Sequence, residues 1–287
     1  MARVSGTGTT LERIAVTAVS SPRLSRIVGR LSDLRLPRPI RVPLIQAYAR
    51  AYGVDLGEAE LPPSAYASFN AFFTRRLREG ARPIESASGV VVSPSDSRLS
   101  AIGQIPRDGR LEQIKGDTYG IEALLGSGEQ AARFGVGVAA TLYLSPAMYH
   151  RVHSPVDGEI VGWRYVPGRL FPVNAAGVRS VPGLFTRNER VSVLVETAAH
   201  GLVAVVLVGA ANVGRIGLAF ADLVTNRGHA PGAFRPQAPI PVRRGDELGA
   251  FNLGSTVVLL VADPGLVPAA KAGDLVRLGR PLWRRGP

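Results

Sequence analysis

The stretch Gly201-Leu-Val-Ala-Val-Val-Leu-Val208 decides how this chain is read. It opens a charge-free run over 201–214, shorter than the about 20 apolar residues a helix needs to cross a bilayer. β-Branched residues between glycines make it a strand. The same texture recurs over 89–92, 135–144, 191–196 and 256–261, with one helix expected among these strands at 119–125. All of them follow Ala81-Arg-Pro-Ile84, and ahead of that point the apolar period is helical. Leu24, Ile27, Val28, Leu31 and Leu34 keep helical spacing among Arg23, Arg26, Arg30 and Arg35, from Pro22 to a stop at Pro37 and Pro39. A second helix is expected over 42–52, and a third in Ser68-Phe-Asn-Ala-Phe-Phe-Thr-Arg-Arg-Leu77 before the breaker Gly80. The fold class is therefore α+β: an N-terminal helical region, 1–80, followed by a β-rich catalytic domain, 81–287.

With 287 residues and 46% hydrophobic composition, the chain is a folded protein rather than a disordered one. It has no cysteine, which excludes a disulfide scaffold, thiolate chemistry and a Cys-ligated metal. No secretory signal is read at the N-terminus. The net charge of +12 is unevenly placed: residues 1–50 carry +7 and residues 271–287 carry +4, leaving the middle at +1. Nucleic-acid binders carry such totals, but here the excess sits at the ends. The basic N-terminal helices fit two descriptions, a solvated face on the core or an interfacial helix on an anionic membrane.

Chemistry has few carriers. Of four histidines, two fall in Tyr149-His-Arg-Val-His-Ser-Pro-Val-Asp-Gly158. His150, His153 and Asp157 are ordinary zinc ligand types, but no Cys and no further His accompany them. Asp96 lies in Ser93-Pro-Ser-Asp-Ser97, where an Asp commonly makes a local turn. Gly254-Ser255 precedes the run Val257-Val-Leu-Leu-Val261, where a Gly-Ser pair is commonly a turn or bulge. Together Asp96, His153 and Ser255 supply the acid, imidazole and hydroxyl of a nucleophilic serine, although no Gly-x-Ser-x-Gly elbow is present. A serine hydrolase, a zinc hydrolase and a non-catalytic binder all remain open on these residues alone.

The ordered motifs resemble the phosphatidylserine decarboxylase proenzymes. The resemblance runs over 21–261 through Phe69-Asn-Ala-Phe-Phe-Thr-Arg-Arg-Leu77, Gly80-Ala-Arg-Pro-Ile84, Ser93-Pro-Ser-Asp96, the 149–158 block, Phe185-Thr-Arg-Asn-Glu-Arg190, Val208-Gly-Ala-Ala-Asn-Val-Gly214 and Leu253-Gly-Ser-Thr256. It implies self-cleavage between Gly254 and Ser255, giving a large chain, 1–254, and a small chain, 255–287. Ser255 would become a covalent pyruvoyl (pyruvate) cofactor, and no metal is implied. Asp96 and His153 match the family pair that activates the serine, with Asp96 setting the tautomer of His153. His150 matches a position linked to substrate binding, as a proton donor or phosphate contact. The implied partners are phosphatidylserine, an anionic membrane surface and a second copy in a homodimer, with no nucleic acid. The implied location is peripheral, on the cytoplasmic face of the cell membrane. Ser97 stands where many members carry Gly, and residues 262–287 match none of the motifs.

Overall fold

The computed structural model describes residue 20 and residues 22–286 apart from 115, 212–214, 227–228 and 253–254, with the backbone alone for 22–26. Gly254, at the expected cleavage bond, and the side chains of Arg23, Leu24 and Arg26 lie outside the described residues.

The strand Ser255–Val261 lies inside a nine-stranded antiparallel sheet, paired with Gly201–Gly209 on one side and Val138–Leu144 on the other. Arg190–Thr197 and Gly158–Val166 extend the sheet past the first neighbour, and Ser97–Gln104 extends it past the second. All seven residues of the inner strand are buried. Val257, Leu259 and Val261 enter one core with Leu142, Val205 and Trp283. Val258 and Leu260 enter another, beneath short helices carrying Leu124, Leu184 and Phe185. Burial on both faces explains why the run is apolar throughout instead of alternating. The first face is covered by a small sheet of Arg215–Leu218, Glu247–Asn252 and Arg151–His153. A third sheet joins Val90–Val92 to Pro281–Arg285 and Leu266–Pro268. The mixed α+β class is thus as expected.

The N-terminal region holds less helix than its apolar period suggests. Helix α1 spans Pro22–Ser32 and ends ahead of Pro37, as expected. Helix α2 spans Arg38–Tyr52, starting before the expected position 42 because Pro37 and Pro39 occupy the cap and first turn, where a missing N–H costs nothing. The helix expected over 68–77 is only Phe69–Phe73, α3. The Ser68 hydroxyl caps its start, and Thr74 Oγ1 bonds back to the Asn70 carbonyl at 2.9 Å. Beyond it the backbone pairs with residues 58–60, through Glu60 N–H to Arg76 O and Arg78 N–H to Glu58 O. That long-range pairing displaces the further helical turns. Residues 53–68, with Pro62 and Pro63, contribute only the turn Pro63–Ala65. The helix expected at 119–125 is Ile121–Leu125, with Tyr119 in the preceding strand.

Ile45, Ala49, Tyr66 and Phe72 form a separate small core for this region. Large apolar side chains left outside concentrate here: Ile27, Leu31, Leu34, Ile40, Leu44 and Tyr52 are each 45–58% exposed. No helix among the described residues is long and apolar enough to cross a membrane.

Candidate active site

Backbone pairing brings His150, His153 and the Asp96 loop together, and the Ser255 Oγ makes no hydrogen bond to any of their side chains. Arg151–His153 pairs with Glu247–Asn252 in a register that sets His153 opposite Glu247, and the Phe251 N–H donates to the His150 carbonyl at 3.0 Å. The chain that passes His150 therefore reaches Ser255 four residues later. On the other side, the His153 N–H donates to the Pro94 carbonyl at 2.8 Å, which holds the Asp96 loop against the histidine segment.

His153 has both ring nitrogens engaged. Nδ1 lies 2.7 Å from the Gly245 carbonyl, which can only accept, so Nδ1 carries the proton. Nε2 is left as the acceptor for the Tyr149 hydroxyl at 3.1 Å. Burial pushes the His153 pKa down, and the nearby Glu247 and Asp96 charges oppose that shift only in part. The ring is a neutral base with its lone pair on Nε2.

Asp96 makes no hydrogen bond to this ring. It is clamped by Arg82, with Nε at 2.9 Å from Oδ1 and a terminal nitrogen at 2.6 Å from Oδ2, and it accepts from the Leu278 N–H at 2.9 Å. The same guanidinium reaches Glu58 at 2.6 Å and holds that carboxyl below its ordinary pKa. The tautomer of His153, expected to be set by Asp96, is set by the Gly245 carbonyl. Asp96 acts on the ring through space, by a charge that favours the imidazolium.

His150 is completely buried, its ring 4.1 Å from that of Phe73. Nδ1 donates to the Met148 carbonyl at 2.8 Å, and Nε2 meets no hydrogen-bond partner among the described residues. Burial is the main cause that pushes its pKa down to about 3. The unfolded-state value is about 6.5, so the depressed histidine favours folding fully above pH 6.5. That contribution is lost as pH falls toward 3. Between pH 7 and pH 4.5 the loss amounts to roughly 2–3 kcal/mol. Urea titrations at the two pH values should show this drop in unfolding free energy, and His150→Gln should remove most of it.

Ser255 is fully buried at the head of its strand, opposite Gly209 on one neighbour and Leu144 on the other. Its Oγ has no hydrogen-bond partner among the described residues. A buried hydroxyl without a partner is costly, and such atoms gather where chemistry is done. Asp157, a member of the zinc reading, accepts from Arg244 at 2.9 and 3.1 Å instead of joining the histidines. Arg82, Gly245 and Tyr149 were not singled out from sequence. Arg82 and Tyr149 lie inside the quoted motifs, but a backbone carbonyl such as that of Gly245 leaves no sequence signal.

A buried serine at the head of an inner strand, its hydroxyl without a partner among the described residues, is placed for chemistry on its own chain. That is what a self-processing enzyme requires. The sequence model of the phosphatidylserine decarboxylase family matches residues 69–284. A phosphatidylserine decarboxylase proenzyme of Anaeromyxobacter sp. (strain K) is 48% identical over 268 residues, covering 90% of this chain and 93% of the relative. Proenzymes of the same name from Stutzerimonas stutzeri (strain A1501) and Myxococcus xanthus (strain DK1622) are each 44% identical, covering 88% and 83% of this chain and 86% and 84% of the relatives. This chain belongs to the phosphatidylserine decarboxylase family. The match extends well past residue 261, so most of the C-terminal tail that matched no motif is part of the family pattern. The structure supplies a reason: the Leu278 N–H holds Asp96, and Trp283 is buried in the core beneath the sheet.

Proposed function

We propose that the chain cuts itself between Gly254 and Ser255 and then decarboxylates phosphatidylserine to phosphatidylethanolamine. The observation that carries this reading is the buried Ser255 hydroxyl at the head of an inner strand, without a partner among the described residues, in a chain of this family. Once the Tyr149 hydroxyl turns away from it, His153 Nε2 takes the Oγ proton as Oγ attacks the Gly254 carbonyl carbon, and the Asp96 charge steadies the imidazolium. The peptide C–N bond breaks, giving an ester on Oγ and a free amine at Ser255. Loss of the Ser255 α-proton expels the Gly254 carboxylate and leaves a dehydroalanine. Its imine tautomer adds water and releases ammonia, so a pyruvoyl group ends the small chain, 255–287. The large chain is 1–254. The fit of such a group rests on the enclosed position of Ser255 between Gly209 and Leu144.

When formed, the pyruvoyl group supplies a carbonyl that captures the substrate amine and accepts the electrons released with carbon dioxide. The chain's own residues do the rest. His150 is neutral, with its only N–H spent on Met148. It therefore presents Nε2 as an acceptor toward the substrate rather than as a cation toward phosphate. A negative charge arriving beside Nε2 raises its proton affinity, so that Nε2 takes up a proton from water and passes it to the product carbon. Next to Phe73 lies an apolar groove of about 540 Å³ between α1 and α2, lined by Val28, Leu31, Leu44, Tyr48 and Phe69. This volume falls in the range of ordinary ligand pockets and suits acyl chains. The exposed apolar side chains of α1 and α2, among N-terminal arginines, would lie on the cytoplasmic face of an anionic membrane as a peripheral, membrane-associating region over 1–80. A homodimer is part of the same reading.

Intact mass spectrometry of the purified protein tests the proposal. Two chains are expected, the small one bearing an N-terminal ketone that reacts with a hydrazide and carries no free amine. Purified protein should release labelled carbon dioxide from carboxyl-labelled phosphatidylserine. An intact chain with neither a ketone nor carbon dioxide release overturns the reading.

A further inference from the structure

The strand Glu247–Asn252 ends three residues before Ser255, and the polar contacts of Asn252 form a closed ring. Asn70 Nδ2 donates to Asn252 Oδ1 and to Asp33 Oδ1, both at 2.8 Å. The Arg215 guanidinium donates to Asp33 Oδ2 at 2.5 Å and to the Gly29 carbonyl at 3.2 Å. Asn252 Nδ2 closes the ring on the Arg215 carbonyl at 3.3 Å, and Arg215 and Asn252 also face each other across the ladder. The ring thus joins α3, the end of α1, and two strands of the small sheet.

Its position matters for the scissile bond. Asn252 belongs to the small sheet, whereas Ser255 belongs to the large one. Ser255 is held by ladders on both sides, so its backbone has a settled position. The other end of the short connection is held at Asn252. The chain must join these two anchors through two residues, so the placement of Asn252 limits the backbone conformations from which Oγ can reach the carbonyl bonded to the Ser255 nitrogen. Intramolecular attack depends on that placement: an error of about 1 Å can cost on the order of 10²-fold in rate. Asn70 is the member of the ring that binds Asn252 through a side chain from outside its own sheet. Asn70 Oδ1 is also buried without a partner among the described residues, so the amide has been placed at a cost for what its Nδ2 holds.

We propose that Asn70 is a positioning residue for self-cleavage, which aligns the scissile segment by tying Asn252 to Asp33 at the end of α1. The inference rests on the self-cleavage reading above. Because α1 carries the exposed Ile27 and Leu31, whatever covers that helix also bears on the ring.

The test follows cleavage of the full chain during cell-free synthesis, for the wild type, Asn70→Leu and Asp33→Asn, each with and without hydroxylamine. Hydroxylamine attacks the ester carbonyl and returns Oγ as a hydroxyl, so it cuts only chains in which the acyl shift has occurred. Asn70→Leu should cleave at least tenfold more slowly, hydroxylamine should not restore the rate, and the uncut chain should melt within a few degrees of uncut Ser255→Ala. Asp33→Asn, which weakens the ring from the half-exposed end of α1, should slow cleavage at least threefold with melting preserved. Wild-type rates in a folded Asn70→Leu chain overturn the proposal, as does rapid cutting of that variant by hydroxylamine, which would place its defect after ester formation. If Asn70→Leu does not fold, Asp33→Asn decides, and a wild-type rate there overturns the proposal. A wild type that never cleaves refutes the proposed function itself. A wild type that cleaves beside an equally fast variant refutes only the role of Asn70.

Discussion

Ser255→Ala is expected to leave a single chain of 30.3 kDa and to reduce decarboxylation to background, a loss of at least about 10⁴-fold. No other side chain can replace the lost atom, because in the proposed mechanism the hydroxyl is the nucleophile of the cut and its ester is the leaving group whose loss creates the dehydroalanine. Folding should be nearly untouched. The hydroxyl has no hydrogen-bond partner among the described residues, so its removal breaks no bond and removes a buried polar atom. Unfolding free energy should stay within about 1 kcal/mol of a folded precursor. A gel, an intact mass and a urea titration together check this. Residual cutting at the same bond in the alanine chain would remove Ser255 from the mechanism. A cooperative but much less stable chain would mean that the hydroxyl has a structural partner.

Arg82→Ala is expected to destabilise the protein by about 3–5 kcal/mol and to abolish self-cleavage at the same time. Arg82 has only 8% of its side chain exposed, and it pairs with Asp96, 11% exposed, and Glu58, 24% exposed. Its removal strands a buried carboxylate that retains only the Leu278 N–H. Without that clamp Asp96 is no longer held where its charge steadies the His153 imidazolium, so self-cleavage is lost together with stability. The measurement is a urea titration of Arg82→Ala in the Ser255→Ala background, where cleavage does not interfere, beside a cleavage assay in the active chain. Arg82→Lys should recover only part of the stability, because an ammonium cannot make the forked contact to Asp96 while reaching Glu58. A change below about 1 kcal/mol would show that water or another residue replaces the guanidinium.

The fold was readable where burial leaves a one-dimensional trace. The runs over 202–208 and 257–261 are apolar without interruption because their residues are buried on both faces, and 191–196 departs from that rule at Ser192 and Glu196. Helices were less readable where long-range contacts compete with local ones. Residues 74–77 keep helical composition, yet their backbone pairs with 58–60, and no local pattern announces a partner so distant in sequence. The site shows the same division. Asp96, His150, His153 and Ser255 could be singled out by their chemistry and by their place in ordered motifs. The partner that orients His153 is the Gly245 carbonyl, a group every residue possesses. The residue that holds Asp96 is Arg82, one of many arginines in an arginine-rich chain.

Sequence by itself determined the residue types available for the chemistry: one buried-strand serine preceded by glycine, two histidines three residues apart, and no thiol. It also determined that the excess charge lies at the two ends. Tertiary structure decided which group touches which. It assigned the tautomer of His153 to a carbonyl, gave Asp96 to Arg82 and Leu278, and left the Nε2 of His150 and the Oγ of Ser255 as buried atoms without partners among the described residues. The physical reason is range. Hydrophobic period and residue chemistry are local properties written along the chain, whereas proton positions and buried charges depend on atoms about 3 Å away that come from segments far apart in sequence.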